Sequence, residues 1–256
     1  MPPLDPSLLR SLLGAAAWSP VAVVATTGST NADLLEGLRR GELAAGAVEV
    51  AAEQVSGRGR LDRAWSSPPG TSVALSAAVA LPPGRPWTLL PLLAGLAVAE
   101  AVVELGAPSA LKWPNDVLIG DRKCCGILVE TATVGDSLHA VIGIGLNVSQ
   151  AEAELPVPGA VSLALAGVQV SREEAAGTVL RHLDATLRDW ARGGDVMARY
   201  RARSATLGRR VRLQLDATHA VEGQATDLAP DGRLGVTTDG ALTWYAAGDI
   251  QHLRPA

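Results

Sequence analysis

Residues 87–104, WTLLPLLAGLAVAEAVVE, form a helix-length segment that is apolar on most of its faces. Such a helix cannot keep one side in water, so it has to lie at the centre of whatever the chain builds. Before it the hydrophobic period predicts a short amphipathic helix over 7–17 and a strand over 21–27. A helix over 31–40 follows, capped by Thr30 with Asp33 in its first turn. Next come strands over 48–54 and 71–81, separated by a long Gly/Arg/Pro loop. Pro86 precedes the apolar helix itself. After it the pattern predicts strands near 109–113, 117–120, 124–134 and 138–147, then helices over 171–192 and 195–204. From Gly208 the period changes to five short strands with Gly and Asp-Gly turns, a small barrel of about 50 residues. The chain therefore divides into an N-terminal helical segment (1–20), a main domain (21–206) and a C-terminal β domain (207–256).

At 256 residues and 48% hydrophobic, the chain can bury a sizeable core. Its net charge of −4 opposes general nucleic-acid binding, whose footprint is a basic excess. No apolar run reaches the roughly 18 residues of a bilayer span, which predicts no membrane association. The N-terminus carries an acid and no cationic lead-in, so it does not read as a signal peptide. Cys124 and Cys125 are adjacent and cannot build a disulfide scaffold. They read as small apolar residues on a buried strand in a reducing compartment, and the expected location is the cytosol.

Lysine and asparagine are scarce: Lys112 and Lys123, and Asn31, Asn115 and Asn147, are the only ones. Elsewhere the chain writes Arg for positive charge. The two are not interchangeable, one being a planar fork and the other a compact point charge. All five rare residues fall in short strings: GSTN (28–31), KWPND (112–116), DRKCCGILVE (121–130) and GIGLN (143–147). A further string, SGRGRLDRAW, offers Gly57 and Gly59 with Arg58, Arg60 and Arg63. Glycines let backbone N–H groups approach an anion, and guanidinium forks hold phosphate or carboxylate bidentately. The string lacks P-loop spacing, and an exposed solvated turn fits it equally well. Trp65 is a candidate platform for a base or a core residue. The Trp-Pro-Asn-Asp turn places Lys112 and Asp116 within reach of one another, as an ion-paired β-turn or as something more. Lys123, at the mouth of a strand ending in Glu130, suits a phosphate or carboxylate, or is a surface turn residue.

Taken in order, GSTN, Q-x-x-GRGR-x-x-R-x-W, KWPND, RK-x-x-GILVE and G-x-G-x-N closely resemble the biotin–protein ligases. The resemblance covers 21–147 with motif quality and agrees more loosely to the end. It implies an α+β fold: a mixed sheet flanked by helices, like the class II aminoacyl-tRNA synthetases, plus a small SH3-like barrel. It also implies that Ser29, Thr30, Asn31 and Gln54 meet the ureido head of biotin. Arg58, Gly59 and Arg60 would belong to a loop closing over biotin and its adenylate. Lys123 would be the cation beside the biotin carboxylate and the α-phosphate, catalytic together with Arg58 and Arg60. Gly57, Arg60, Trp65, Lys112, Asn115, Asp116 and Asn147 would lie on the nucleotide side, Trp65 stacking on adenine and Asp116 holding Mg²⁺ through the phosphates. Arg254 corresponds to a family arginine near the nucleotide. Two departures stand out. Asp62 replaces a glycine usual in the loop, and only 27 residues precede GSTN, too few for the winged helix that some members use on DNA.

The implied activity is formation of biotinyl-5′-AMP from biotin and ATP, then transfer to a lysine of a biotin carboxyl carrier protein. The expected partner is that carrier and not DNA, with the enzyme a monomer or a weak homodimer. A lipoate or octanoyl ligase or transferase of the same fold is the alternative enzyme. A nucleic-acid module built on the Arg/Gly loop is the alternative of another class, and the acidic balance opposes it.

Overall fold

The apolar segment is enclosed. In the computed structural model, which describes residues 3–60, 63–135, 137–155, 157–216 and 218–253, Trp87–Leu89 make one 3₁₀ turn leading into α3 (Leu90–Glu104). Leu90, Leu93, Leu96, Ala97, Val98 and Ala101 on this helix are fully buried. One expectation is corrected here: Trp87–Glu104 is, by length and mean hydropathy, apolar enough to cross a bilayer. Its burial, 67% of the window, is that of a core helix.

The chain order before α3 is α1 (Pro6–Leu13), β1 (Val21–Thr27), α2 (Thr30–Arg39), β2 (Val48–Gln54) and β3 (Ser72–Ala80). After it come β4 (Ala110–Lys112), β5 (Asp116–Ile119), β6 (Arg122–Val134), β7 (Ser137–Asn147), α4 (Arg172–Ala191) and α5 (Val196–Ala202). The first seven strands form one sheet in the order β1-β2-β3-β7-β6-β5-β4. β1 and β2 run parallel and the other neighbours antiparallel, so the sheet is mixed. A second, antiparallel sheet contains β8 (Arg210–Gln214), β9 (Ala220–Leu228), β10 (Leu234–Thr238), β11 (Ala241–Tyr245) and β12 (Asp249–His252), in the order β11-β10-β9-β8-β12. One hydrophobic cluster runs from α3 and the large sheet to Val211, Leu228, Val236 and Ile250 of the small one. Trp113 pins the two units: its indole N–H donates to Gly232 O at 2.9 Å, and its backbone N–H donates to Thr206 Oγ1 at 3.1 Å.

Several boundaries differ from the sequence reading for local reasons. α1 stops at Leu13 because Gly14 turns the chain at a φ of 58°, so the helix is shorter than 7–17. Ser29, not Thr30, occupies the cap position of α2. Thr30 is the first helical residue, and its hydroxyl is engaged with Gln54 and Ser76. The charged helix does begin after Ser171, which accepts from Glu174 N while the Glu174 carboxylate accepts from Ser171 N. That reciprocal box satisfies two otherwise unpaired amides.

Candidate active site

The site starts under the N-terminus of α2, where polar side chains are buried against the sheet. Thr30 donates to Gln54 Oε1 at 3.0 Å and meets Ser76 Oγ at 2.7 Å. Ser76 donates to Asn31 Oδ1 at 2.6 Å, and Asn31 Nδ2 donates to Glu130 Oε2 at 2.8 Å. Arg58 closes the chain through an ion pair with Glu130 at 3.1 Å. Gln54 ends β2, Ser76 lies in β3 and Glu130 in β6, so three strands and one helix hold a single polar circuit. Each hydroxyl has a single proton, so Thr30 shares its own between Gln54 and Ser76 while the amide and carboxylate partners keep fixed directions. Gly143 on β7 is required beneath it, since a β-carbon there would collide with the Asn31 carboxamide.

The two described arms of the Gly/Arg segment pair antiparallel, Arg58 opposite Ala64, and make a hairpin on either side of residues 61–62. Gly59 N donates to Arg63 O at 2.6 Å, and Trp65 N donates to Gly57 O at 2.8 Å. Gly57 faces the Trp65 carbonyl too closely for any side chain. The hairpin is tied across the site: Arg60 donates to Asn115 Oδ1 at 3.1 Å and to Gly248 O at 3.2 Å, and Arg63 pairs with Asp249 at 2.5 Å. Burial lowers the Arg60 pKa from its usual value, against the pull of Asp249 and Asp116. The Trp65 indole lies over Gly145 and Gly126, and its buried N–H has no partner among the described residues.

Lys123, the first residue but one of β6, pairs with Asp116 at 2.5 Å. This corrects the expected Lys112–Asp116 pair. Those two are register partners across β4 and β5, yet the carboxylate turns to Lys123 on the next strand. A β-carbon on Gly126 would stand 3.2 Å from Lys123 Nζ and 3.1 Å from the Trp65 ring. Asn115 donates to Ile127 O at 2.8 Å, fastening the Pro-Asn-Asp turn to β6. Asn147 is 1% exposed and gives its amide to Val161 O, while its carbonyl accepts from Gln150, so it braces the loop that passes over Lys123.

These parts surround one cleft of about 800 Å³. Ser29, Thr30, Asn31, Gln54, Arg58, Gly59, Arg60, Trp65, Lys112, Asn115, Asp116, Lys123 and Asn147 all line it; of the expected residues Gly57 alone stands behind the wall. Arg254 and Asp62 lie outside the described residues. The sequence reading missed Ser76, although a serine inside an otherwise apolar strand was a visible signal. It also missed Arg209, Asp249 and His252, which reach the cleft only because the small sheet folds back over it. The cysteines are buried, as expected, and burial pushes the Cys124 thiol up to about 12. Protonated thiols of this kind are unreactive.

Residues 23–147 match the biotin/lipoate A/B protein ligase family, and residues 206–253 match the biotin protein ligase C-terminal domain. The biotin–[acetyl-CoA-carboxylase] ligase of Mycobacterium tuberculosis is 42% identical over 99% of this chain and 97% of its own length. The chain belongs to the biotin protein ligase family. The bifunctional ligase/repressor BirA of Escherichia coli is 34% identical to this ligase over 96% of the present chain and 78% of its own. The structure of the Aquifex aeolicus biotin protein ligase in complex with biotin and ATP superposes with a TM-score of 0.75. It is 26% identical and covers 93% of this ligase and 100% of that chain.

Proposed function

We propose that the chain joins biotin to ATP as biotinyl-5′-AMP and passes the biotinyl group to a lysine of a biotin carboxyl carrier protein of an acetyl- or acyl-CoA carboxylase. The observation that carries this is the placement of the Thr30–Ser76–Asn31–Glu130 circuit beside Arg58, Arg60 and Lys123 in one cleft. A ureido ring needs donors and acceptors held in fixed directions, and the reaction needs cations where two anions meet. The dithiolane of lipoate, the alternative, has no N–H or carbonyl with which to meet those polar groups, so it would draw no specific binding from them.

In this reading Ser29, Thr30, Asn31 and Gln54 hold the head of biotin, and Gly59 lets the hairpin backbone approach it. Lys123, with Arg58 and Arg60, draws the biotin carboxylate to the α-phosphate and stabilises the charge that develops there. Trp65 offers its ring face to the adenine, and Lys112, Asn115 and Asn147 shape the nucleotide side. Carboxylates in groups of three or more that could hold a metal are absent among the described residues. A divalent ion that binds through nucleotide phosphates and one acid fits Asp116, already turned into the cleft toward Lys123. Mg²⁺ there would supply additional neutralisation of phosphate charge. The Arg60 and Arg63 ties close the hairpin over the reacting centre and exclude water from the mixed anhydride. The carrier lysine then attacks that anhydride and releases AMP. Two free, buried cysteines suit a reducing cytosol.

Biotin-dependent ATP–pyrophosphate exchange, followed by transfer to a purified carrier domain, tests the proposal. Exchange driven by lipoate and not by biotin would overturn it in favour of the alternative.

A further inference from the structure

Two acids beside the polar circuit have no part in the reading above. Glu49 stands in β2, and its register partner on β3 is Ser76, the hydroxyl that joins Thr30 to Asn31. The Glu49 carboxyl is hydrogen-bonded to that of Asp33, in the first turn of α2. Two carboxyl groups bond to one another only through a proton, since ionised carboxylates accept and do not donate. Thr27 donates to Asp33 Oδ2, while Glu49 Oε1 is buried with no partner among the described residues. A buried, unbonded oxygen costs far less on a neutral acid than on a carboxylate, so the proton belongs to Glu49. Burial first, then the hydrogen bond and charge of Asp33, push the Glu49 pKa up to about 7. The elements around it carry little else that is charged. β1 and β3 have no charged residue, and Glu53, the other acid of β2, meets Thr26 at 3.4 Å. On α2, Glu36 pairs with Arg40 at 2.8 Å and Arg39 lies in the last turn. Glu130, the acid of the circuit, is paired with Arg58.

The pair bears on the pocket through α2. Asp33 N donates to Ser29 O at 3.0 Å and closes the turn that carries Ser29, Thr30 and Asn31. At the other end of β2, Gln54 Oε1 accepts from Thr30 N at 2.9 Å. One strand therefore holds this turn at two points, through an amide that cannot titrate and through a proton that can. We propose that Glu49 is a positioning residue for biotin, its proton shared with Asp33 fixing the first turn of α2 against β2. This role rests on the ligase reading. When the proton leaves, two carboxylates face each other and repel. Asp33 is exposed and free to swing away, and its amide draws Ser29 O with it. Thr30 and Asn31 then lose the directions in which they meet a ureido ring. Biotin binding is tighter on the acid side of the Glu49 titration and weaker on the alkaline side. Stability follows the same sign: the share contributed by the proton is fully present below 4.5 and is lost as pH rises through about 7.

The test is isothermal titration of the full chain with biotin across pH. The Kd of the unaltered chain is expected to rise about fivefold from about pH 6 to about pH 8.5. Biotin's own carboxylate is ionised throughout that range, so the slope belongs to the protein. Glu49→Gln keeps an N–H to donate to Asp33 and cannot ionise. Its Kd is expected to stay within about twofold of the low-pH value at every pH. Asp33→Asn removes the repelling charge at an exposed position, and is expected to move the midpoint of the profile to lower pH. A glutamate with a merely structural part would instead shift Kd equally at all pH values in both variants. A flat profile in the unaltered chain, or an unchanged slope in Glu49→Gln, overturns the role of Glu49 alone. Absence of biotin binding at every pH overturns the ligase reading and this role with it.

Discussion

Lys123 shows why scarcity of a residue type carried information. Its ammonium sits against Asp116, with Gly126 and Trp65 leaving little room beside it. A guanidinium is wider than that space and spreads its charge over a fork. Lys123→Arg is therefore expected to cut kcat for adenylation by about 100-fold or more despite keeping the charge. Exchange at near-normal rate would show that charge alone suffices. Gly143 makes the complementary point by its lack of a side chain. Gly143→Ala would drive the Asn31 carboxamide from its place and break its bonds to Ser76 and Glu130. The expected outcome, read by isothermal titration, is about tenfold weaker biotin binding, with stability lowered by about 1–3 kcal/mol as buried groups lose partners. The GSTN and KWPND strings were legible as chemistry, but the partner of each residue was not. Lys112 and Lys123 both lay within sequence reach of Asp116, and only the direction of the side chains in the folded sheet decided between them.

At the scale of elements, α3 was the most legible part of the chain, since a helix apolar all round has one place to go. Leu93→Ala in its centre is expected to cost about 2–5 kcal/mol in urea unfolding, because the enclosing strands and α4 cannot collapse onto the gap. What the apolar pattern did not reveal is the charged network at the far end of α3. Burial pushes the Glu100 carboxyl up, but His182 of α4, Arg199 of α5 and Arg203 just after it more than reverse this and hold it at about 2. A depressed acid contributes stability above its unfolded value of 4.5 and loses it as pH falls from there toward 2. His182 stands 3.8 Å from Glu100 and 2.8 Å from Glu104, and the two carboxylates raise its pKa. Its share is present below 6.5 and is lost as pH rises through the higher folded value. Glu100→Gln is expected to flatten the acid limb of stability between 4.5 and 2 in melts taken across pH. An unchanged limb would place acid sensitivity elsewhere.

For the whole molecule, the notable arrangement is that both lysines line the cleft and the rest of the chain has none. An escaping acyl-adenylate therefore meets no lysine on the enzyme's outer surface. Arg60→Gly removes the ties to Asn115 and Gly248 that close the hairpin. It is expected to release biotinyl-5′-AMP and label added bystander proteins more heavily than the enzyme itself. Heavy self-labelling found by mass spectrometry would count against this. The same ties make the small sheet part of the site, since Gly248 and Asp249 hold Arg60 and Arg63 from across the cleft. Composition and period change separated that unit from the rest of the chain but gave no sign that it folds back over the nucleotide side.

The sequence by itself determined the mixed α+β composition, the central helix, the change to short strands near Gly208 and the strings that carry the chemistry. These follow from local rules, namely hydrophobic period, turn formers and residue types with few substitutes. Only the tertiary structure decided that Asp116 turns to Lys123, that Ser76 joins Thr30 to Asn31, and that His252 and Arg209 share a wall with Lys112. Each of these contacts joins residues from different elements, separated by up to 140 positions in the case of Lys112 and His252. Strand order and the packing of one sheet against another bring such pairs together, and neither is written in any local stretch of chain.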